Sequence, residues 1–159
     1  MIKDSGARRE FKTGAVRDVA EGEGRCDLLP LGILADRMKT PILAFIEDYV
    51  RYGDPCSLWF ALDEFIGKMP EQWCSALLEV SKQYEEGAKK YSDRNWEKGI
   101  PVHCFIDSGV RHYLKWRRGD DDEPHDRAFI WNMLSAIWTH LNKPEMIDLP
   151  FKDLKKERR

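Results

Sequence analysis

At 159 residues the chain has the length of one domain with room for a real core. Its composition, 42% hydrophobic and 34% charged with a net charge of −2, suits a globular protein and lacks the basic excess of a general nucleic-acid binder. The first residues carry no apolar secretory core and no run of about 18 apolar residues offers a membrane span. Four scattered cysteines without a CxxC pair point to reduced thiols in a cytoplasm.

Residues 1–26 are rich in Gly, Arg, Lys, Asp and Glu and read as an irregular arm. The alternative is a loop that closes over a ligand, with Arg8, Arg17 and Arg25 available to phosphate. Packed structure begins at Asp27-Leu28-Leu29-Pro30, after which Leu31, Leu34, Ala35 and Met38 follow helical spacing. Pro41 starts a helix that buries Ile42, Phe45, Ile46, Tyr49 and Val50 and stops at Gly53-Asp54-Pro55. A short apolar helix spans Leu58 to Ile66.

A long helix then runs from about Pro70 to Tyr91. Trp73, Leu77, Val80, Tyr84 and Tyr91 make its buried stripe. Glu79, Gln83, Glu86 and Lys90 form a second stripe about 100° around. Such a stripe fits a phosphate-and-metal site, and it equally fits a solvated helix edge. Gly87 in mid-helix costs about 1 kcal/mol against alanine, which suggests close approach of a backbone or ligand.

A further helix covers Val102 to Arg117, burying Phe105, Ile106, Val110, Tyr113 and Leu114, and ends at Gly119 and the acids 120–123. The last opens at Pro124 with a seam of Ile130, Met133, Leu134, Ile137, Trp138 and Leu141. Residues 150–159 read as a frayed tail. Six helical segments without a convincing strand predict an all-α bundle of five to six helices in a single domain.

Asp126 lies four residues before Ile130 and seven before Met133, which predicts an inward carboxylate one turn upstream of the seam. An inward acid is costly unless paired or bound to a cation. With Glu79 and Glu86 it would form a catalytic and metal-binding set for Mg²⁺ or Mn²⁺, joined by Asp122 and Glu123. Lys90, Arg17 and Arg25 would bind phosphates, Trp96 would stack on a base and Asn95 would hydrogen-bond base or sugar. His112 borders the buried face of its helix, where a core or capping role is also open. His125-Asp126 raises a second reading, an HD-type phosphohydrolase completed by His103 or His112 and Asp148. A non-catalytic nucleotide-binding protein is a third.

Several segments carry a resemblance: Gly14 to Asp18, Gly22 to Pro30, Gly87-Ala88-Lys89-Lys90-Tyr91-Ser92-Asp93-Arg94-Asn95-Trp96-Glu97-Lys98-Gly99, Arg111-His112, and His125 with Trp131-Asn132. Together they resemble the phage and bacterial dATP/dGTP diphosphohydrolases, a family similar to the MazG-like all-α pyrophosphohydrolases. The resemblance implies a MazG-like bundle and hydrolysis of a purine deoxynucleoside triphosphate to monophosphate and pyrophosphate. It also implies Mg²⁺ or Mn²⁺ and a homodimer or homotetramer in phage nucleotide metabolism, and it adds His112 to the substrate-binding set. It departs at Lys82, where the ExxE pair of MazG-like enzymes would place an acid three after Glu79. Residues 39–75 look like an insertion.

Overall fold

The computed structural model describes residues 6–152; the first five residues of the arm and the tail from 153 onward lie outside the described residues. Six α-helices follow one another: α1 (Leu31–Met38), α2 (Pro41–Tyr52), α3 (Pro55–Ile66), α4 (Pro70–Lys90), α5 (Val102–Arg118) and α6 (His125–Asn142). The all-α expectation holds, and each helix boundary has a local cause. Proline occupies the first position of α2, α3 and α4, where its missing N–H costs nothing. The Asp54 carboxylate accepts from the Cys56 N–H at 2.9 Å to cap α3. Gly53 (φ 74°) and Gly119 (φ 92°) end α2 and α5 in the left-handed conformation that glycine adopts without strain. None of the described helices is long and apolar enough to cross a membrane.

The centre of the molecule is the α5–α6 pair. Phe105, Ile106 and Val110 of α5 and Phe129, Met133 and Ala136 of α6 are buried against one another. Gly109 allows the close approach: a Cβ there would lie 2.4 Å from Met133 Cε and 3.3 Å from Asn132 Cβ. The segment 39–75 enters the same core through Leu43 and Ile46 of α2 and Leu58 and Leu62 of α3. Tyr49 is fully buried, with its hydroxyl 2.9 Å from His140 Nδ1.

Three expectations change. The arm is not wholly irregular, because β1 (Arg8–Glu10) pairs antiparallel with β2 (Val16–Asp18), Arg9 opposite Arg17. Strands of three residues are too short to show a period of two. The stripe of α4 is only partly covered: Val80 is buried, Trp73 and Tyr84 are half-buried, and Leu77 is 43% exposed. And α6 is buried on nearly every side, from His125 to Thr139, rather than along one seam. A helix enclosed all round gives no periodic signal that selects one inward face.

Candidate active site

A cleft of about 1360 Å³ opens between the arm, the C-terminal half of α4 with its following turn, and α5. The arm is fastened to the turn through Asn95. Its Nδ2 donates to Val16 O and its Oδ1 accepts from Val16 N, both at 2.8 Å. The Thr13 hydroxyl donates to Gly99 O nearby. Asp18 at the end of β2 accepts from Lys90 Nζ at 2.6 Å and from the Tyr91 hydroxyl at 2.9 Å. Further along, the buried Asp107 carboxylate of α5 accepts from Cys26 N at 2.6 Å and from Arg111 Nη2 at 2.7 Å, and Arg111 also donates to Gly24 O at 2.8 Å. These charge-assisted bonds hold the arm across the helices.

The floor is cationic. Arg17 donates from Nη2 to Ser108 Oγ at 3.0 Å, and its guanidinium sits 5.4 Å from the Phe105 ring centroid and 5.9 Å from that of Trp131. Its Nη1 is buried without a hydrogen-bond partner, as is Arg111 Nε. Burial lowers the Arg17 pKa from its ordinary value, yet arginine keeps its charge in proteins. Glu23 Oε2 stands 3.9 Å from Arg111 Nε, beyond hydrogen-bond reach, so the buried Arg17 Nη1 is the stronger of the two invitations to an anionic guest. Asn132 Oδ1, also buried and unpartnered, adds an acceptor, and Lys115 lines the same cavity.

At the other end stand two histidines. His112 Nδ1 is 2.9 Å from His125 Nδ1 and 3.6 Å from Glu123 Oε1, while His125 Nε2 is 2.7 Å from Asp122 Oδ1. Burial, then the neighbouring His125, pushes the His112 pKa down to about 3, so its imidazole is neutral at physiological pH.

The predicted residues divide. Arg17, Arg25, Asn95, Trp96, His112 and Glu123 line the cleft. Arg25, however, is held by Asp27 through two bonds of 2.8 and 2.7 Å. Asn95 uses its amide on Val16, and Lys90 is tied to Asp18. Trp96 packs edge-on against Tyr84 and Trp138, with centroids 5.6 and 5.0 Å away.

The acid trio is not brought together. Glu79 is exposed and pairs with Lys82 at 2.9 Å. Glu86 accepts from Arg127 Nη2 at 2.7 Å. Asp126 faces outward, not inward as its spacing suggested, and shares with Glu79 a separate small groove. In the first turn of α6 it is the flanking His125 and Arg127 that are buried. The HD-type set comes together only in part: His112 meets His125 at 2.9 Å, but Asp126 faces outward and Asp148 pairs with His103.

Sequence reasoning missed Asp18, Asp107 and Ser108. Asp107 did leave a signal, since an aspartate four residues before Arg111 on a helix is a favourable pair. Asp18 and Ser108 left none, because their partners lie 72 and 91 residues away in the chain.

Fold and cleft together define an all-α domain whose cavity sets arginine and lysine at its floor and histidine with carboxylate at one end. More particularly, the chain belongs to the dATP/dGTP diphosphohydrolase N-terminal family, whose model matches residues 68–149, just over half of the sequence. No curated protein and no solved structure gives a match.

Proposed function

We propose that the protein hydrolyses a purine deoxynucleoside triphosphate, dATP or dGTP, to the monophosphate and pyrophosphate. The observation that carries this reading is the family match, whose 82-residue span contains α4, α5 and α6, the helices that wall the cleft. The unpartnered Nη1 of Arg17 and Nε of Arg111 support it, because a triphosphate supplies the acceptors they lack.

In this reading Arg17, Arg111 and Lys115 bind the phosphates and stabilise charge on the departing pyrophosphate. Mg²⁺ or Mn²⁺ enters with the triphosphate as part of the substrate. The base lies against the aromatic wall near Trp96. A water at the His112 and Glu123 end attacks the α-phosphorus as the bond to the bridging oxygen breaks. The second ring nitrogen of the neutral His112 or the second carboxylate oxygen of Glu123 accepts its proton. Glu79, Glu86 and Asp126 hold no ion in this reading, since Glu79 pairs with Lys82, Glu86 accepts from Arg127, and none of the three lines the cleft.

A homodimer or homotetramer is part of the proposal. Light scattering would measure the assembly. The natural setting is a cytoplasm, that of the host if the protein is phage-encoded.

The test is product identification after incubation with each common nucleotide and Mg²⁺ or Mn²⁺. Pyrophosphate and dAMP or dGMP are expected. Inorganic phosphate, free triphosphate, or binding without turnover would each reject the reading.

A further inference from the structure

One cluster of donors at the edge of the cleft has no part in holding phosphate. His112 Nδ1 and His125 Nδ1 face each other at 2.9 Å, and the Glu123 Oε1 atom stands 3.6 Å from the first and 4.0 Å from the second. The geometry points to a resident metal centre formed by His112, Glu123 and His125, taking a borderline divalent ion such as Mn²⁺, Co²⁺ or Zn²⁺ in preference to Mg²⁺.

Three observations carry it. First, Asp122 accepts from His125 Nε2 at 2.7 Å. A carboxylate on one ring nitrogen fixes the tautomer and leaves a lone pair on the other, as carboxylates behind metal-binding histidines do. That lone pair is aimed at His112. Second, the Glu123 side chain is only 12% exposed, and the basic side chains within 4.0 Å of it among the described residues are the two histidine rings. A sheltered carboxylate with no arginine or lysine beside it is costly unless a cation joins it. Third, the separations of 2.9, 3.6 and 4.0 Å bracket the roughly 3.4 Å between donors placed tetrahedrally about 2.1 Å from an ion.

The second grouping there, Asp120 and Asp122 with His125, is weaker because Arg118 Nε already donates to Asp120 at 2.7 Å. Two imidazole nitrogens and one carboxylate favour transition ions, whereas Mg²⁺ prefers an all-oxygen shell. His112 and Glu123 line the cleft, so the ion would border the nucleotide's space. There it would supply Lewis-acid polarisation to a phosphate oxygen or a water. The ion's catalytic role rests on the pyrophosphohydrolase reading; its binding does not.

The experiment is Co²⁺ titration of chelator-stripped protein without nucleotide. One equivalent should bind with visible d–d absorption. The unfolding midpoint should rise with Co²⁺ or Mn²⁺ and stay unmoved by the same concentration of Mg²⁺. Glu123→Gln and His112→Gln should each weaken Co²⁺ binding at least tenfold, and Asp122→Asn by about tenfold through the orientation of His125. Circular dichroism and the metal-free midpoint of each variant show whether it is folded, and His112→Gln, at the cleft wall, disturbs the core least. Failure of the wild type to form a one-to-one Co²⁺ complex overturns the centre. Equal affinity in folded wild type and His112→Gln does the same. Either result leaves pyrophosphate production to be judged separately by its products.

Discussion

Helix α4 and the pair α5–α6 offer opposite kinds of sequence signal. α4 displays a clean charged stripe, yet in the structure Glu79 answers Lys82 and Glu86 answers Arg127. α5 and α6 display little polar order, yet they place Asp107, Arg111, His112 and Glu123's neighbour His125 around the cleft or just behind it. Regular charge on a surface helix is cheap, because water solvates each group and neighbours pair at short spacing. Polar groups inside a packed helix pair are costly, and they persist where other groups or a ligand satisfy them. The irregular polar residue on the enclosed helix is therefore the better guide to chemistry.

Substitutions can break this contrast. The largest effect is expected at the cleft floor: Arg17→Ala should lower kcat/KM about 100-fold, from the loss of charged hydrogen bonds to phosphate. Glu79→Gln on the exposed stripe should leave it within about twofold. Steady-state kinetics with dATP and dGTP would show it, and a large loss at Glu79 would return the stripe to the chemistry. Gly109→Val should destabilise the fold by about 1–3 kcal/mol in urea titration, since a branched side chain overpacks the contact with Met133 and Asn132.

Glu86→Gln should cost about 1–2 kcal/mol by weakening the bond from Arg127, with turnover nearly retained. Loss of turnover at unchanged stability would restore Glu86 to a catalytic role. Gly87→Ala should raise stability by up to about 1 kcal/mol, because a Cβ there meets open space beside the cleft. A simultaneous rise in KM would show that the glycine keeps room for substrate.

The smallest effect concerns His103, whose hydrogen bond with Asp148 raises its pKa to about 10. A raised histidine pKa stabilises the fold fully below the unfolded value near 6.5. That contribution declines as pH rises from there through about 10. Ring-proton NMR should find His103 still protonated at pH 8, and Asp148→Asn should return its midpoint toward the ordinary range.

Much of the architecture could be read from the residues. Proline starts, glycine stops and apolar spacing placed α2, α4 and α5 within about a residue, and those cues are local, while α3 opens at Pro55, three residues before the expected Leu58. Contacts between distant segments were not readable. Nothing near Asn95 announces Val16, and nothing near Arg17 announces Ser108. Asp126 shows a subtler failure: its spacing to Ile130 and Met133 was real, but the neighbouring helices do not cover that side of the first turn.

The Asn95–Val16 pairing has a consequence for where the cation stands. By offering both an acceptor and a donor to the backbone N–H and C=O of one residue, the Asn95 amide acts as a third strand one residue long beside β2. Side chains on a strand alternate, so a slip by one residue would swap the faces of Val16, Arg17 and Asp18. A single amide, 79 residues away in the chain, thus sets the rotational phase of the arm and selects which of three consecutive side chains reaches the floor.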